Sequence, residues 1–140
     1  MLKWGIICLV GLIAAFALYV RLAPSDPARW HKAPPDLPVG DSAGLNSFVA
    51  VRGGDREILE RLIQIAEATP RTERLAGSAD EGMITLVTRS RLWGFPDYTT
   101  IRLEGQTLSV YARARFGQGD MGVNRARVEG WLAAAGIPTP

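Results

Sequence analysis

Sulfur and imidazole are nearly missing from this 140-residue chain, which has one cysteine, Cys8, and one histidine, His31. A lone thiol cannot close an internal disulfide, so any fold must stand without covalent staples. One Cys and one His are too few ligands for a zinc site. After residue 45 there is neither Cys nor His, and no serine sits in a recognisable nucleophile elbow. Covalent catalysis therefore has no candidate group. A large excess of one charge is also absent: sixteen Lys and Arg face fourteen Asp and Glu, a net charge of +2. No nucleic-acid partner is expected, since non-specific binding to a polyanion rests on a large basic excess.

One long apolar run is present. "WGIICLVGLIAAFALYV", residues 4–20, has seventeen residues and no charge. As a helix it spans about 26 Å, slightly less than a hydrocarbon core of about 30 Å. Trp4 and Tyr19 lie at its ends, where interfacial aromatics belong, and Lys3 and Arg21 flank it. A helix apolar all round is not the amphipathic helix of a soluble surface. A cleaved signal peptide would use Ala15-Phe16-Ala17 as its small-residue site. The run continues through Val20, which favours an uncleaved anchor. Arg21, Arg29 and Lys32 offset Lys3 and the terminal amine, so the positive-inside count leaves orientation open. An anchor ahead of a single domain usually exports it. The expectation is a single-pass protein of the inner (plasma) membrane with its domain periplasmic or extracytoplasmic.

Residues 21–44, "RLAPSDPARWHKAPPDLPVGDSAG", hold five prolines and read as a stiff, extended tether. Trp30 and His31 are its only residues with chemistry, and Trp30 is expected at the membrane interface or on the domain. The expected division is an anchor over 1–21, a Pro-rich juxtamembrane tether over 22–45 and a globular domain over 46–140.

Within that domain "NSFVAVR", residues 46–52, reads as a strand. A helix follows, with Asp55 as N-cap, Glu57 in its first turn and Ile58, Leu59, Leu62, Ile65 and Ala66 as its apolar stripe; Pro70 ends it. Strands are expected over 71–77, 82–93, 97–105 and 106–116, with a tight turn at Glu104-Gly105-Gln106. Thr99, Ile101 and Leu103 share one face, as do Leu108, Val110, Ala112, Ala114 and Phe116. The last helix takes Asp120 as N-cap, Val128, Trp131, Leu132 and Ala135 as its stripe, and Gly136 and Pro138 as its stop. The order β-α-β-β-β-β-α predicts an α+β fold: a four- to five-stranded antiparallel sheet with two helices on one face, preceded by one transmembrane helix.

"GQGDMG", residues 117–122, has the Gly117-x-Gly119-x-x-Gly122 spacing of a dinucleotide fingerprint, between a strand-like and a helix-like stretch. The fingerprint also needs a second parallel strand ending in an acid about twenty residues on, and only helix and tail follow Gly122. The glycines are therefore expected to turn the chain, and neither a dinucleotide nor any other cofactor or metal is expected. What survives is a helix start, where free N–H groups suit an anion. Arginines surround it. In a meander Arg89, Arg91, Asp97, Arg113, Arg115 and Asp120 should converge on one rim of the sheet. Alternation also places Tyr111, Arg113, Arg115, Tyr98, Thr100 and Arg102 on the face away from the helices, with Arg89, Arg91 and Trp93 beside them. That predicts an open, basic, aromatic face, with Trp93, Tyr98 and Tyr111 as its aromatics. A solvated surface of ordinary cross-strand pairs is the simpler account of the same pattern.

"TRSRLWGFPDYTTIRL" and "VYARARFGQGDMGVNRARVEGWL" resemble the uncharacterised family called domain of unknown function 1499. The matching positions are Arg89, Ser90, Arg91, Phe95, Pro96, Asp97, Arg113, Arg115, Gly117, Asp120, Gly122, Asn124 and Arg127, within about residues 45–135. "DPARWH" after a membrane segment is similar to members of the family as well. "ARARF" departs from it, because the family carries serines between these arginines, and only Ser47 stands near a cysteine common in the family. The resemblance implies a domain built around the Arg, Asp and Asn cluster and implies no activity.

The expected function is that of a non-enzymatic, membrane-anchored binding or accessory module. Arg89, Arg91, Asp97, Arg113, Arg115, Asp120, Asn124 and Arg127 would hold a partner subunit, an anionic lipid or a glycan. The alternative is a small hydrolase or lyase using Asp97 or Asp120 beside Arg91 and Arg113. A third possibility gives the anchor the main work, packing into a membrane complex through Gly5, Gly11 and Ala14.

Overall fold

The computed structural model describes residues 1–138. A long helix α1 (Leu2–Leu22) and a one-turn helix α2 (Pro27–Trp30) precede β1 (Gly40–Ala43) and β2 (Ser47–Gly53). Then come α3 (Arg56–Glu67), β3 (Thr72–Ser78), β4 (Met83–Arg89), β5 (Pro96–Glu104), β6 (Thr107–Ala114) and α4 (Val123–Ala134). The strands form one antiparallel sheet in the order β1-β2-β6-β5-β4-β3. β3 to β6 are the expected meander, and β2 adds to β6.

The sheet has six strands rather than four or five. The extra one is β1, from the stretch read as tether, which pairs with β2 from Gly40↔Val51 to Ala43↔Phe48. Its sequence, Gly-Asp-Ser-Ala, has no β-branched residue, so nothing local marks it as a strand. Hydrogen bonds to β2 and the Asp41–Arg52 ion pair at 2.6 Å hold it.

α3 and α4 cover one face of the sheet. Asp55 accepts the Ile58 N–H at 2.9 Å and starts α3, which buries Leu59, Leu62, Ile63 and Ala66. Val128, Trp131, Leu132 and Ala135 fill the space beneath α4, and the Trp131 indole N–H donates to Thr69 Oγ1 at 2.8 Å. Phe48, Ala50, Ile84, Leu86, Ile101, Leu108, Val110 and Ala112 supply the sheet side of this core. Phe116 does not join Ala112 there. β6 ends at Ala114, and the Phe116 ring packs on Tyr19 and Phe95, with centroids 6.3 and 5.9 Å away.

The opposite face is where the tether expectation fails. Residues 23–32 fold back across the sheet as a strap, with Ala23 buried. The Trp30 ring stacks on Tyr98 with centroids 4.0 Å apart and planes 11° apart. Ser25 Oγ and Tyr98 OH share a hydrogen bond of 2.8 Å. His31 Nδ1 lies 2.8 Å from Thr85 Oγ1, which is bonded in turn to Thr100 Oγ1 at 2.9 Å. Gly77, with φ +82, makes room for His31: a Cβ there would stand 2.8 Å from His31 Cε1 and 2.1 Å from the Met83 carbonyl. Proline's fixed φ stiffens the strap, and its aromatic and imidazole groups stick it down.

Candidate functional site

The last residues of β4, the first of β5 and the end of β6 lie side by side, because Arg89 pairs with Pro96 and Asp97 with Ala114. The sheet then separates the predicted site residues by face.

On the helix side, Asp97 Oδ2 accepts from Arg127 at 3.1 Å, and Arg127 also donates to Asn124 Oδ1 at 2.8 Å. Asp120 turns back onto the start of α4, where its two oxygens accept the N–H groups of Gly122 and Asn124, both at 3.0 Å. The N-cap position is held by Gly122, at φ +77, rather than by Asp120. The effect is the one expected of a cap, delivered from two residues earlier. It also fills the proposed anion site at this helix start with the chain's own carboxylate. The glycines of 117–122 link an inner antiparallel strand to α4, which is not the βαβ setting of a dinucleotide site.

Burial pushes the Asp97 carboxyl above its ordinary value; Arg127 opposes this and the Asp120 charge adds to it. Burial also pulls Asp120 upward, but the backbone N–H bonds from Asn124 and Gly122 outweigh it and leave Asp120 below its ordinary value. The two carboxyls therefore act oppositely on stability. The contribution of Asp120 is present above its unfolded pKa and fades as pH falls through its lowered folded value. That of Asp97 is present below the unfolded pKa and fades as pH rises through its raised folded value. Relative to the parent, Asp97→Asn should gain stability between about pH 3 and pH 6 and Asp120→Asn should lose it. Denaturant midpoints across that range check this, and slopes of the same sign would refute the assignment.

On the strap side, Arg113 is buried, and it is not part of an open face. It donates to Thr100 Oγ1 at 3.0 Å, to the Tyr111 carbonyl at 3.2 Å and to the Trp30 carbonyl. Its guanidinium stands over the Tyr111 ring, 4.5 Å from the centroid. Burial pushes it below its ordinary value, with Tyr111 and Tyr98 acting the other way. Tyr98, expected as an open-face aromatic, is fully buried under Trp30. Tyr111 is half-buried and Trp93 exposed. Arg115 donates to the Pro24 carbonyl at 3.0 Å and to Tyr98 OH at 3.3 Å. These arginines hold the strap, Arg113 through both of its Nη groups and Arg115 through Nη1.

Arg89 and Arg91 have a different setting. They line a cleft of about 540 Å³ with Arg21, Arg71, Arg74 and one acid, Glu73, beside the end of α1. The Arg89 guanidinium donates to the Gly94 carbonyl at 3.1 Å, and the Arg89 carbonyl accepts from Arg71 Nε at 3.0 Å. Arg74 pairs with Glu67 at 2.7 Å. Among the described residues, Arg21, Arg71, Arg89 and Arg91 have no carboxylate within ion-pair distance. Sequence reasoning put Arg89 and Arg91 on a rim but missed Arg71 and Arg74, and saw Arg21 only as a flank. The β3–β4 pairing Thr72↔Thr88 is what carries Arg71 beside Arg89. Among the described residues no group of His, Cys, Asp or Glu is placed to hold a metal ion.

The fold and this cleft define a class: a small α+β domain on one antiparallel sheet, carried by a helix long and apolar enough to cross a membrane. Within that class the chain belongs to the family described as "Protein of unknown function (DUF1499)", whose model matches residues 22–134. The match takes in the strap, whose "DPARWH" the sequence resemblance noted beside its main stretch of about 45–135. No curated protein matches the chain.

Proposed function

We propose that this protein is a membrane-anchored, non-enzymatic binding module that holds a phosphate-type anion in the arginine cleft at the foot of its anchor. The observation that carries the reading is the cluster of Arg21, Arg71, Arg89 and Arg91 around one cavity, where the one lining acid, Glu73, pairs with none of them. Guanidinium groups are built for bidentate contact with phosphate oxygens, and a cleft wall strengthens such contacts relative to open water. An uncleaved α1 supports the anchor: Phe16, which cleavage after Ala17 would remove, packs edge to face on Phe95 with centroids 6.3 Å apart. The orientation that exports the domain is part of the same proposal.

The hydrolase or lyase alternative has less behind it. Asp97 and Asp120 line none of the four main clefts, and each is engaged by Arg127 or by backbone N–H groups. Arg91 and Arg113, its proposed helpers, stand in the cleft and under the strap.

Inorganic pyrophosphate is a suitable probe with the full-length protein in mild detergent at low salt. It is expected to raise the thermal midpoint, and the rise should shrink with added salt. Arg91 makes no hydrogen bond among the described residues, so Arg91→Ser tests binding with little effect on folding. It should raise the pyrophosphate concentration needed for a given protection about tenfold, the size of one lost charge-assisted contact. No protection of the parent, or equal protection of the variant, would overturn the proposal.

A further inference from the structure

The anchor and the β4–β5 loop, residues 90–95, form a second feature that the anion cleft does not use. Leu12, Ile13 and Phe16 of α1, with Trp93 and Phe95 of the loop, line an apolar groove of about 350 Å³. Phe16 and Phe95 meet edge to face at 6.3 Å, and Trp93 stacks on Phe95 at 6.4 Å. Leu92, at the loop tip, is 73% exposed. Along a helix rising 1.5 Å per residue, Phe16 lies about 9 Å and Leu12 about 15 Å inside Leu22. If α1 spans a bilayer, loop residues that touch Phe16 lie at membrane depth.

Backbone at that depth must have its polar groups satisfied within the protein. This loop does much of that. Ser90 N–H donates to the Phe95 carbonyl at 2.9 Å, Gly94 N–H to the Ser90 carbonyl at 3.1 Å, and Phe95 N–H to Ser90 Oγ at 2.9 Å. The Leu92 carbonyl, at the tip, accepts from the Arg21 guanidinium at 2.9 Å, and the Gly94 carbonyl from Arg89. The cleft and the groove meet here. Gly94 lines the first and Phe95 the second, and the Arg21 stem lies so close over Gly94 that a Cβ would come within 3.0 Å of it.

We propose that the anion is the headgroup of an anionic phospholipid whose acyl chain lies in the Phe16–Trp93–Phe95 groove, with Leu92 and Trp93 seated in the bilayer interface. This rests on the cleft being an anion site. It adds the ligand's second half: charge above, hydrocarbon below, joined at one glycine. Tryptophan suits that interface because one edge is apolar and the other wet.

Native mass spectrometry of the full-length protein, in detergent doped equally with phosphatidylglycerol and phosphatidylcholine, tests it. The parent should keep one phosphatidylglycerol at least about tenfold in preference to phosphatidylcholine. Arg91→Ser should abolish the preference. Trp93→Ser should lower retention of the lipid while leaving pyrophosphate protection intact, which separates chain from headgroup and serves as a folding control. In vesicles of brominated phosphatidylglycerol, tryptophan quenching should fall in Trp93→Phe. Equal retention of the two lipids, or a Trp93→Ser variant indistinguishable from the parent, overturns the lipid proposal. If pyrophosphate still protects in an Arg91-dependent way, the cleft takes a soluble anion and the proposed function survives. If that protection is absent too, both fall.

Discussion

Replacing Trp30 with alanine is expected to release residues 23–32 from the sheet and to cost about 3–5 kcal/mol of domain stability. The stacked Trp30–Tyr98 pair is the main apolar contact by which the strap covers β5. Its loss exposes a tyrosine ring that is now fully buried and leaves the Ser25–Tyr98 and His31–Thr85 hydrogen bonds open to water. Nothing else in the strap offers comparable area, since Pro24, Pro27 and Ala28 are exposed. Denaturant unfolding of the full-length chain in detergent gives the energy. Limited proteolysis gives the location, because a freed strap should be cut between residues 23 and 38 before the domain is. A variant within about 0.5 kcal/mol of the parent and with no new cleavage would show that the strap is incidental to the fold.

Arg113→Leu is expected to cost about 2–4 kcal/mol, although leucine is the more apolar side chain. Arg113 is the one donor offered jointly to Thr100, the Tyr111 carbonyl and the Trp30 carbonyl. Leucine leaves the two carbonyls and the hydroxyl without that donor beneath the strap. Stranding those acceptors away from water costs more than the apolar side chain gains. Arg113 and Trp30 touch, so the double variant should lose less than the sum of the single losses. Additive losses in that cycle would mean that Arg113 stabilises the sheet without helping the strap.

The two predictions have one origin in the chain. Alternation on β5 and β6 correctly put Tyr98, Thr100, Arg102, Tyr111 and Arg113 on the face away from the helices. Read locally, that row is a basic aromatic surface. What it lacked was its cover. The cover comes from a proline-rich segment 54 to 91 residues earlier in the chain, which carries no strand or helix period to announce it. The same blindness hid β1, whose partner β2 alone makes it a strand.

The site divides along the same line. Arg89, Arg91, Asp97, Arg113, Arg115 and Asp120 were expected at one rim of the sheet, because a meander brings strand ends together, while Asn124 and Arg127 were marked by the family resemblance. The side of the sheet each one reaches was not legible, and a one-residue step decides it. Asp97 thus faces Arg127 while Tyr98 faces Trp30. Arg71 joins Arg89 only through β3–β4 pairing, and Arg21 only because α1 ends beside the β4–β5 loop.

By itself the sequence determined the apolar helix, the α+β class, the four-strand meander and two of the helix–core stripes. Each is written in local periodicity, with Asp55 and Gly105 as punctuation. Only the tertiary structure decided that the proline-rich segment is a strap, that Asp120 fills its own helix start, and that the unpaired arginines gather at the anchor. Those outcomes depend on which distant surfaces exclude water from each other, and periodicity along the chain does not encode them.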